Sequence, residues 1–283
     1  MARALGLDPR WVLDLSASMN PCAPDVVALA ARRLEALARY PDAGPATASL
    51  ADALGVDRER LVLTNGGAEA ISLVAAELGG SVVAEPEFAL HPRGGDGPRW
   101  QSDPHNPTGR LAAVKERAGV RDEAFYPLAT GRWSRHDPCA VVVGSLTKVF
   151  ACPGLRAGYV VAPDPDLAAR LRRRQPTWSV NALAAALVPE LLAVADLPSW
   201  ASEVARMRRE LVEVLSRHQL SPLPSEANWV LVPSATGLRE ALARHGIVVR
   251  DCSSFGLPDH VRVSVPTAAG LERLDRALDA IPH

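Results

Sequence analysis

Cysteine is scarce in this 283-residue chain and neither charge predominates, and both shortages narrow what it can be. Cys22, Cys139, Cys152 and Cys252 lie far apart, without the paired spacing of a zinc site, and a chain of this length needs no disulfide staples. A reduced, cytoplasmic protein without a metal site is expected. With 31 Lys+Arg against 32 Asp+Glu, interleaved to a formal net charge of -1, there is no electrostatic footprint for nucleic acid or an anionic membrane. Long uninterrupted apolar runs are also lacking. The longest, Val180 to Leu197, is broken by Pro189 and Glu190, and the start MARALGLDPRW carries charges but no apolar signal-peptide core, so neither membrane spanning nor secretion is expected. There is no long repeat, and the 24 prolines and 20 glycines punctuate apolar segments without gathering into a linker. Several catalytic signatures are missing: a Gly-x-Ser-x-Gly elbow, a phosphate loop ending in Gly-Lys-Ser/Thr, and a Gly-x-Gly-x-x-Gly dinucleotide turn. What remains is a 48% hydrophobic chain, able to bury a core in one large domain or two closely associated ones, with a small soluble molecule as its partner.

Strand-like and helix-like segments alternate through the first half, the pattern of a mainly parallel sheet covered by helices. Asp25 to Ala38 reads as a helix, Arg60 to Thr64 as a strand, and Ala68 to Leu78 as a helix opened by Asn65-Gly66-Gly67. Short strands are expected at Ser81 to Glu85, Arg99 to Ser102, just before Asp122, at Ala140 to Gly144 and at Gly158 to Ala162. After Pro163, Asp166 to Arg174, Val180 to Leu197 and Ser199 to His218 read as helices; in the last, Trp200, Val204, Met207, Leu211 and Leu215 mark one buried face. Strands Asn228 to Val232, Val248 to Arg250 and His260 to Val265, with helices Gly237 to His245 and Ala268 to Ile281, complete a smaller α+β domain beginning near residue 165. Arg172, Arg173 and Arg174 read as decoration of a solvated helix face.

The most informative stretch is Ser145-Leu-Thr147-Lys148-Val-Phe-Ala-Cys-Pro-Gly154-Leu-Arg156-Ala-Gly158, where a lysine follows an apolar strand at its polar end. A primary amine at the lip of a partly apolar site can stay neutral enough to form a Schiff base with a carbonyl. Ser145, Thr147 and Arg156 add two hydroxyls and a guanidinium, donors suited to a phosphate dianion. Asn65-Gly66-Gly67-Ala68-Glu69 leads from strand to helix, so its free N–H groups could bind the same anion.

Ser-x-Thr-Lys followed by Gly-Leu-Arg-x-Gly resembles the fold-type I enzymes that use pyridoxal 5'-phosphate, in the class I/II aminotransferase branch. The resemblance runs from about Leu13 to the end. It implies an α/β fold with a large cofactor-binding domain on a mainly parallel sheet (41–165), trimmed, a smaller C-terminal α+β domain (166–283), and an N-terminal arm and helix (1–40). It implies that Lys148 forms the Schiff base and that Gly66, Gly67, Ala68, Ser145, Thr147 and Arg156 hold the cofactor phosphate. In Pro86-Glu-Phe88-Ala-Leu-His91, Phe88 matches the aromatic residue that stacks on the pyridine ring. In Asn106-Pro107-Thr108-Gly109 the asparagine matches the partner of the phenolic oxygen, and in Asp122-Glu-Ala-Phe125 the aspartate matches the partner of the pyridine nitrogen. A carboxylate there favours the pyridinium that makes the cofactor an electron sink. Relatives often carry tyrosine at Phe125, so one hydrogen bond to the phenolic oxygen is expected to be missing. In Arg39-Tyr40-Pro41-Asp42 the tyrosine matches one that reaches the neighbouring subunit's cofactor, implying a homodimer with shared sites. Arg262 in His-Val-Arg-Val-Ser-Val matches the clamp for a substrate carboxylate or phosphate. Two stretches, Pro92 to Pro98 and Gly109 to Asp122, are shorter than in relatives, which trims the sheet's periphery and could weaken cofactor binding.

Within the branch, Asp14-Leu-Ser16-Ala-Ser18-Met-Asn20-Pro21, Pro176-Thr-Trp178-Ser-Val-Asn181 and Val249-Arg250-Asp-Cys-Ser-Ser-Phe255-Gly256 look most like the threonine-phosphate decarboxylases of cobalamin biosynthesis, with histidinol-phosphate aminotransferases next. The first reading is a decarboxylase of a small phospho-amino acid, with Ser18, Asn20 and Asn181 lining the pocket beside Arg262. The second is an aminotransferase, and the third is a catalytically degenerate binding protein. Against the third stands the joint retention of Lys148, Asp122, Asn106 and Arg156.

Overall fold

The computed structural model describes residues 6 and 8–281. Among these, ten strands form two sheets: β1 (Leu13–Leu15), β2 (Leu61–Thr64), β3 (Ser81–Val82), β4 (Arg99–Ser102), β5 (Val120–Asp122), β6 (Val141–Ser145), β7 (Gly158–Val161), β8 (Trp229–Val232), β9 (Ile247–Asp251) and β10 (Val261–Ser264). The α-helices are α1 (Val26–Ala31), α2 (Gly44–Leu54), α3 (Gly66–Leu78), α4 (Tyr126–Thr130), α5 (Leu146–Val149), α6 (Pro165–Arg174), α7 (Ala182–Ala193), α8 (Leu197–Arg217), α9 (Leu238–Arg244) and α10 (Ala268–Asp279). No single helix among the described residues is long and apolar enough to cross a membrane.

The large sheet has the order β2-β7-β6-β5-β4-β3, parallel except for β7, which runs against both its neighbours. β2, β6 and β7 are buried along their whole length, which is why they read as continuous apolar runs without alternation. Successive side chains still divide between two faces. Leu61, Leu63, Val142 and Tyr159 join Leu50, Leu54, Phe150 and Leu187 in one core, while Val62, Val141, Val143 and Val160 join Ile71, Val74, Trp100 and Leu171 in the other. α2 and α7 thus cover one face, and α3 and α6 the other. Two helices beyond residue 165 therefore pack with the large sheet. The small sheet has the order β1-β9-β10-β8, with β1 parallel to β9 and the other pairs antiparallel. Leu211 and Leu215 of α8 and Leu274 and Leu278 of α10 pack with its Val230, Val249 and Val263.

Several expectations are corrected. The helix expected over Asp25 to Ala38 breaks after Ala31 into a short 3-10 turn at Leu34–Ala38; neither piece has a buried residue, so no packed face sustains a continuous helix. The strand expected over Ser81 to Glu85 ends at Val82, and 83–98 runs on as loop with only an isolated bridge from Arg93 to Ser81. α2 was not read from the sequence, because its run of small residues carries little amphipathic signal. Arg172 is not simple surface decoration: its guanidinium donates to the carbonyls of Arg58, Glu59 and Leu61 and ties α6 to the start of β2.

Candidate active site

The polar ends of the central strands meet the small sheet around a cavity of about 400 Å³, lined among others by Gly67, Ala68, Phe88, Asn106, Asp122, Phe125, Ser145, Thr147, Lys148, Arg156 and Arg262. A crevice beyond the carboxyl ends of strands is where open α/β sheets bind ligands. β6 ends at Ser145 and turns at once into α5, a single turn that carries Thr147 and Lys148 to the rim. Asp122 is the last residue of β5, and α3 starts at the cavity wall.

The Gly66 backbone has φ 80°, a left-handed conformation that favours glycine, and a Cβ there would collide with the Arg156 guanidinium. Gly66 thus backs Arg156 rather than lining the cavity, and its neighbours Gly67 and Ala68 form the wall. Across the strand pair, a Cβ on Gly158 would collide with the Gly66–Gly67 backbone, so β7 can approach α3 closely only with glycine there. Arg156 itself sits at φ 57° and donates to the Pro153 carbonyl at 3.1 Å; a non-glycine residue in that region marks a constrained position.

Lys148 Nζ donates to the Ala17 carbonyl at 2.9 Å and lies 5.7 Å from the centre of the Phe125 ring. Burial pushes its pKa down to about 8; Arg262 and Arg156 add to the depression, and Asp14 and Asp122 oppose it. Asp122 Oδ1 accepts from the Ala124 N–H at 3.0 Å, and Oδ2 is 3.1 Å from His91 Nε2. Asn106 Oδ1 accepts from Arg262 Nη1 at 2.7 Å, which fixes the amide so that Nδ2 is the group left to donate. Arg262 also donates to the Ser16 carbonyl at 3.2 Å and stacks 4.8 Å from the Trp229 ring. Burial lowers its pKa to about 10, with Arg250 adding to the effect and Cys252 opposing it.

Three anticipated pocket residues fall elsewhere. Ser18 is buried and shares a 2.9 Å hydrogen bond with Ser264; Asn20 donates to the Val149 carbonyl at 2.8 Å; Asn181 caps α7 and donates to the Leu155 carbonyl at 2.9 Å. All three fasten the walls and none lines the cavity. Their polar side chains signalled fixed contacts, and sequence could not tell backbone partners from substrate. Tyr40 lies outside this chain's own cavity, 76% exposed and stacked on Trp178 at 4.3 Å.

Other lining residues went unassigned in the sequence: Ser16, Arg250 and Phe255. Arg250 could have been suspected only with strand register in hand, because it sits directly opposite Arg262 across β9 and β10. His91, beneath Asp122, was visible only as the end of the Phe88 segment.

The cavity suits pyridoxal 5'-phosphate. Thr147 Oγ1 is buried and has no hydrogen-bond partner, an orphan donor between Ser145 and Arg156 where a phosphate would satisfy it. Arg156 and the α3 amino end add positive charge at the same spot, and Phe88, Asn106 and Asp122 stand along the wall that would face the ring.

A fold of this kind, with a lysine at the end of a central strand and phosphate donors beside it, defines a pyridoxal-phosphate enzyme of fold type I. Residues 101–281 match the family described as aminotransferase class I and II. The chain is 28% identical over 337 positions to histidinol-phosphate aminotransferase 2 of Methylococcus capsulatus, covering 95% of this chain and 90% of the relative. It is 31% identical over 341 positions to the threonine-phosphate decarboxylase of Salmonella typhimurium, covering 98% and 93%. Alignments longer than the chain itself require gaps in it, in keeping with a trimmed sheet. In fold it is similar to histidinol-phosphate aminotransferase from Sinorhizobium meliloti in complex with pyridoxal-5'-phosphate (TM-score 0.86, 18% identity, 99% and 92% covered). It is similarly close to L-threonine-O-3-phosphate decarboxylase from Porphyromonas gingivalis (TM-score 0.79, 24% identity, 95% and 99% covered). The chain belongs to the class I and II aminotransferase family and is a pyridoxal-phosphate-dependent enzyme.

Proposed function

We propose that the enzyme decarboxylates O-phosphothreonine or a similar small phospho-amino acid. The observation that carries this reading is the pairing of Arg250 and Arg262, directly opposite each other in β9 and β10 and both lining the cavity. Like charges facing across a strand pair are unfavourable, and the cost is relieved when anionic groups of a ligand sit against them. A phospho-amino acid brings two such groups. The Salmonella typhimurium decarboxylase, 31% identical, supports the same choice.

Pyridoxal 5'-phosphate, when bound, supplies an electron sink into which a bond at the substrate Cα can release its electrons. Phe88 would stack on the ring, Asn106 Nδ2 would donate to the phenolic oxygen, and Asp122 would hold the proton on the pyridine nitrogen. Ser145, Thr147, Arg156 and the amides of Gly67 and Ala68 would hold the phosphate. Lys148, with its pKa drawn down to about 8, has a neutral fraction at physiological pH, so it is the residue that would hold the cofactor covalently and would supply the proton for Cα. Arg262 and Arg250 would hold the anionic groups of the substrate and so set its orientation in the cavity. Phe125 offers no hydroxyl, so Asn106 would serve the phenolic oxygen without it.

An aminotransferase acting on histidinol phosphate or another amino acid is the second reading, favoured by similarity to histidinol-phosphate aminotransferases. The two differ in which bond at Cα is broken, and so in how the arginines would hold the substrate. Purified wild type and Lys148→Ala should be mixed with the cofactor, followed in the visible, and then given O-phosphothreonine. A lysine-dependent band that shifts with substrate, with CO2 released, is expected. Amino transfer to a keto acid without CO2 would install the second reading, and absence of any lysine-dependent band at saturating cofactor would leave a degenerate protein.

We also propose a cytoplasmic homodimer in which Tyr40 completes the partner's site. Tyr40 and Pro41 line a surface groove with Leu37 and Ala182, beside exposed Leu34 and Trp178. Mixing inactive Tyr40→Ala and Lys148→Ala proteins should restore part of the activity in mixed dimers, whose intact site combines Tyr40 from one subunit with Lys148 from the other; no recovery, or a monomer by sedimentation, would refute the shared site.

A further inference from the structure

The geometry points to Arg93 as a positioning residue that holds Phe88 in the cavity wall, an inference that rests on Phe88 facing the ring of the cofactor. Residues 83–98 run as a loop, so the carbonyls of its first half lack the partners that a helix would supply. Arg93 supplies them. A guanidinium carries five N–H donors in one fixed plane, and here all of them are used within residues 85–91. Nη1 donates to the Phe88 carbonyl at 2.7 Å and the His91 carbonyl at 2.5 Å. Nη2 donates to the Glu87 carbonyl at 2.8 Å and Glu85 Oε2 at 3.4 Å, and Nε to Glu85 Oε1 at 2.9 Å.

The clamp is anchored on the sheet edge. Arg93 bridges to Ser81 of β3, and the Val82 N–H donates to the Pro92 carbonyl at 3.1 Å, so the backbone of the arginine is fixed while its side chain reaches back over the loop. The Pro86 carbonyl, outside the clamp, accepts from His105 Nε2 at 2.8 Å. Gly94, Gly95, Asp96 and Gly97, which follow, are exposed and brace nothing themselves. Charge is the smaller part of the effect. The side chains of Arg93 and Glu85 are 37% and 56% exposed, and an ion pair so open to solvent contributes little. What the loop needs is the planar fork: an ammonium offers its donors from a single atom and cannot span the carbonyls of residues 87, 88 and 91 together with Glu85.

Hydrogen exchange of the cofactor-free protein tests the clamp itself. In Arg93→Ala the amides of 85–91 should exchange about tenfold faster while those of β6 and β7 stay as in wild type; unchanged exchange of the segment overturns the proposal. Titrating pyridoxal 5'-phosphate into the protein and following the lysine-dependent visible band tests what the clamp is for. Phe88→Leu sets the scale of a lost ring. Arg93→Ala should raise the cofactor Kd about tenfold, in the same direction, and leave the substrate KM at saturating cofactor within about twofold. Arg93→Lys should weaken cofactor binding nearly as much, and it supplies the readout should Arg93→Ala not fold. Glu85→Gln, which removes only the exposed charge, should keep Kd within about twofold. A Kd unmoved in Arg93→Ala but raised in Phe88→Leu overturns the role of Arg93, and full recovery in Arg93→Lys overturns the fork. A Kd unmoved in Phe88→Leu itself overturns the placement of Phe88 at the ring and the purpose of the clamp with it, while the exchange of 85–91 tells that failure from a failure of the clamp.

Discussion

The two flanks of the large sheet are built on different physics. On the side of β6 and β7, the chemistry rests on regular elements: β6 runs straight into α5, α3 opens against Gly158, and the helices on both faces bury apolar cores. On the side of β3 to β5, residues 83–98 and 103–119 form neither helix nor extended strand beyond the short β4. There the loops are tied down by charge. Arg121, only 1% exposed at its side chain, reaches Asp137 at 3.4 Å and Asp103 at 3.9 Å and donates to Gln101 and to the Glu116 carbonyl. Arg135 meets Asp103 at 3.0 Å and donates to the carbonyls of Ala112 and Ala113. The comparison teaches that a sheet edge can lose its covering helices and still present Asn106 and Asp122, provided buried ion pairs replace the lost packing.

That view is most easily broken at Arg121. Removing one member of a buried charged network strands the others without compensation, so Arg121→Ala should cost about 3–5 kcal/mol in denaturant unfolding. A loss below about 1 kcal/mol would mean the ionic clamp is incidental. Arg135→Ala comes next. Its partners are a buried carboxylate and two loop carbonyls, worth about 1.5–3 kcal/mol for a charged hydrogen bond, and its loss should also weaken cofactor binding through the loop that bears Asn106.

Glu123 sharpens the comparison by pH. Burial raises its pKa to about 7, although bonds from Ser134 and the Arg135 N–H pull the other way. The folded state therefore holds this proton more tightly than the unfolded chain, whose carboxyl titrates near 4.5. The stability gained from neutral Glu123 is full below that value and is lost as pH rises through about 7. Against Glu123→Gln, the wild type should lose melting temperature between pH 5 and pH 8; parallel curves would count against a buried neutral carboxyl. Lys148 gives the opposite sign on the other flank. Its folded pKa is depressed to about 8, so the cofactor-free protein gains stability as pH rises from there toward 10.5. Lys148→Met should flatten that rise.

The same division governs how much could be read in advance. β2, β6 and β7 announce themselves as apolar runs, and Lys148, Ser145 and Arg156 follow from a tight local spacing, so the strands and the lysine turn of the regular flank were legible, although α2 was not. Asp122 and Asn106 were legible as motif residues, yet what holds them was not. His91, Arg121 and Arg135 act on partners 31, 18 and 32 residues away in the chain, and no period or spacing encodes such contacts. Arg250 became meaningful only once strand register placed it opposite Arg262. Ser18, Asn20 and Asn181 misled for a related reason: a polar side chain beside a site looks the same in sequence whether it faces substrate or caps a helix.

The smallest effect provides the control. On the regular flank, Arg170 and Arg174 of α6 both pair with Glu77 of α3, but their side chains are nearly half exposed. Pairs open to solvent at the arginine contribute about 0–1 kcal/mol because water already solvates the guanidinium and salt screens the attraction. Arg170→Ala should therefore change the unfolding midpoint little, and high salt should erase what change there is. If it instead matched Arg121→Ala, ion pairs would be holding both flanks alike, and the distinction between a packed side and a charged side of this sheet would fail.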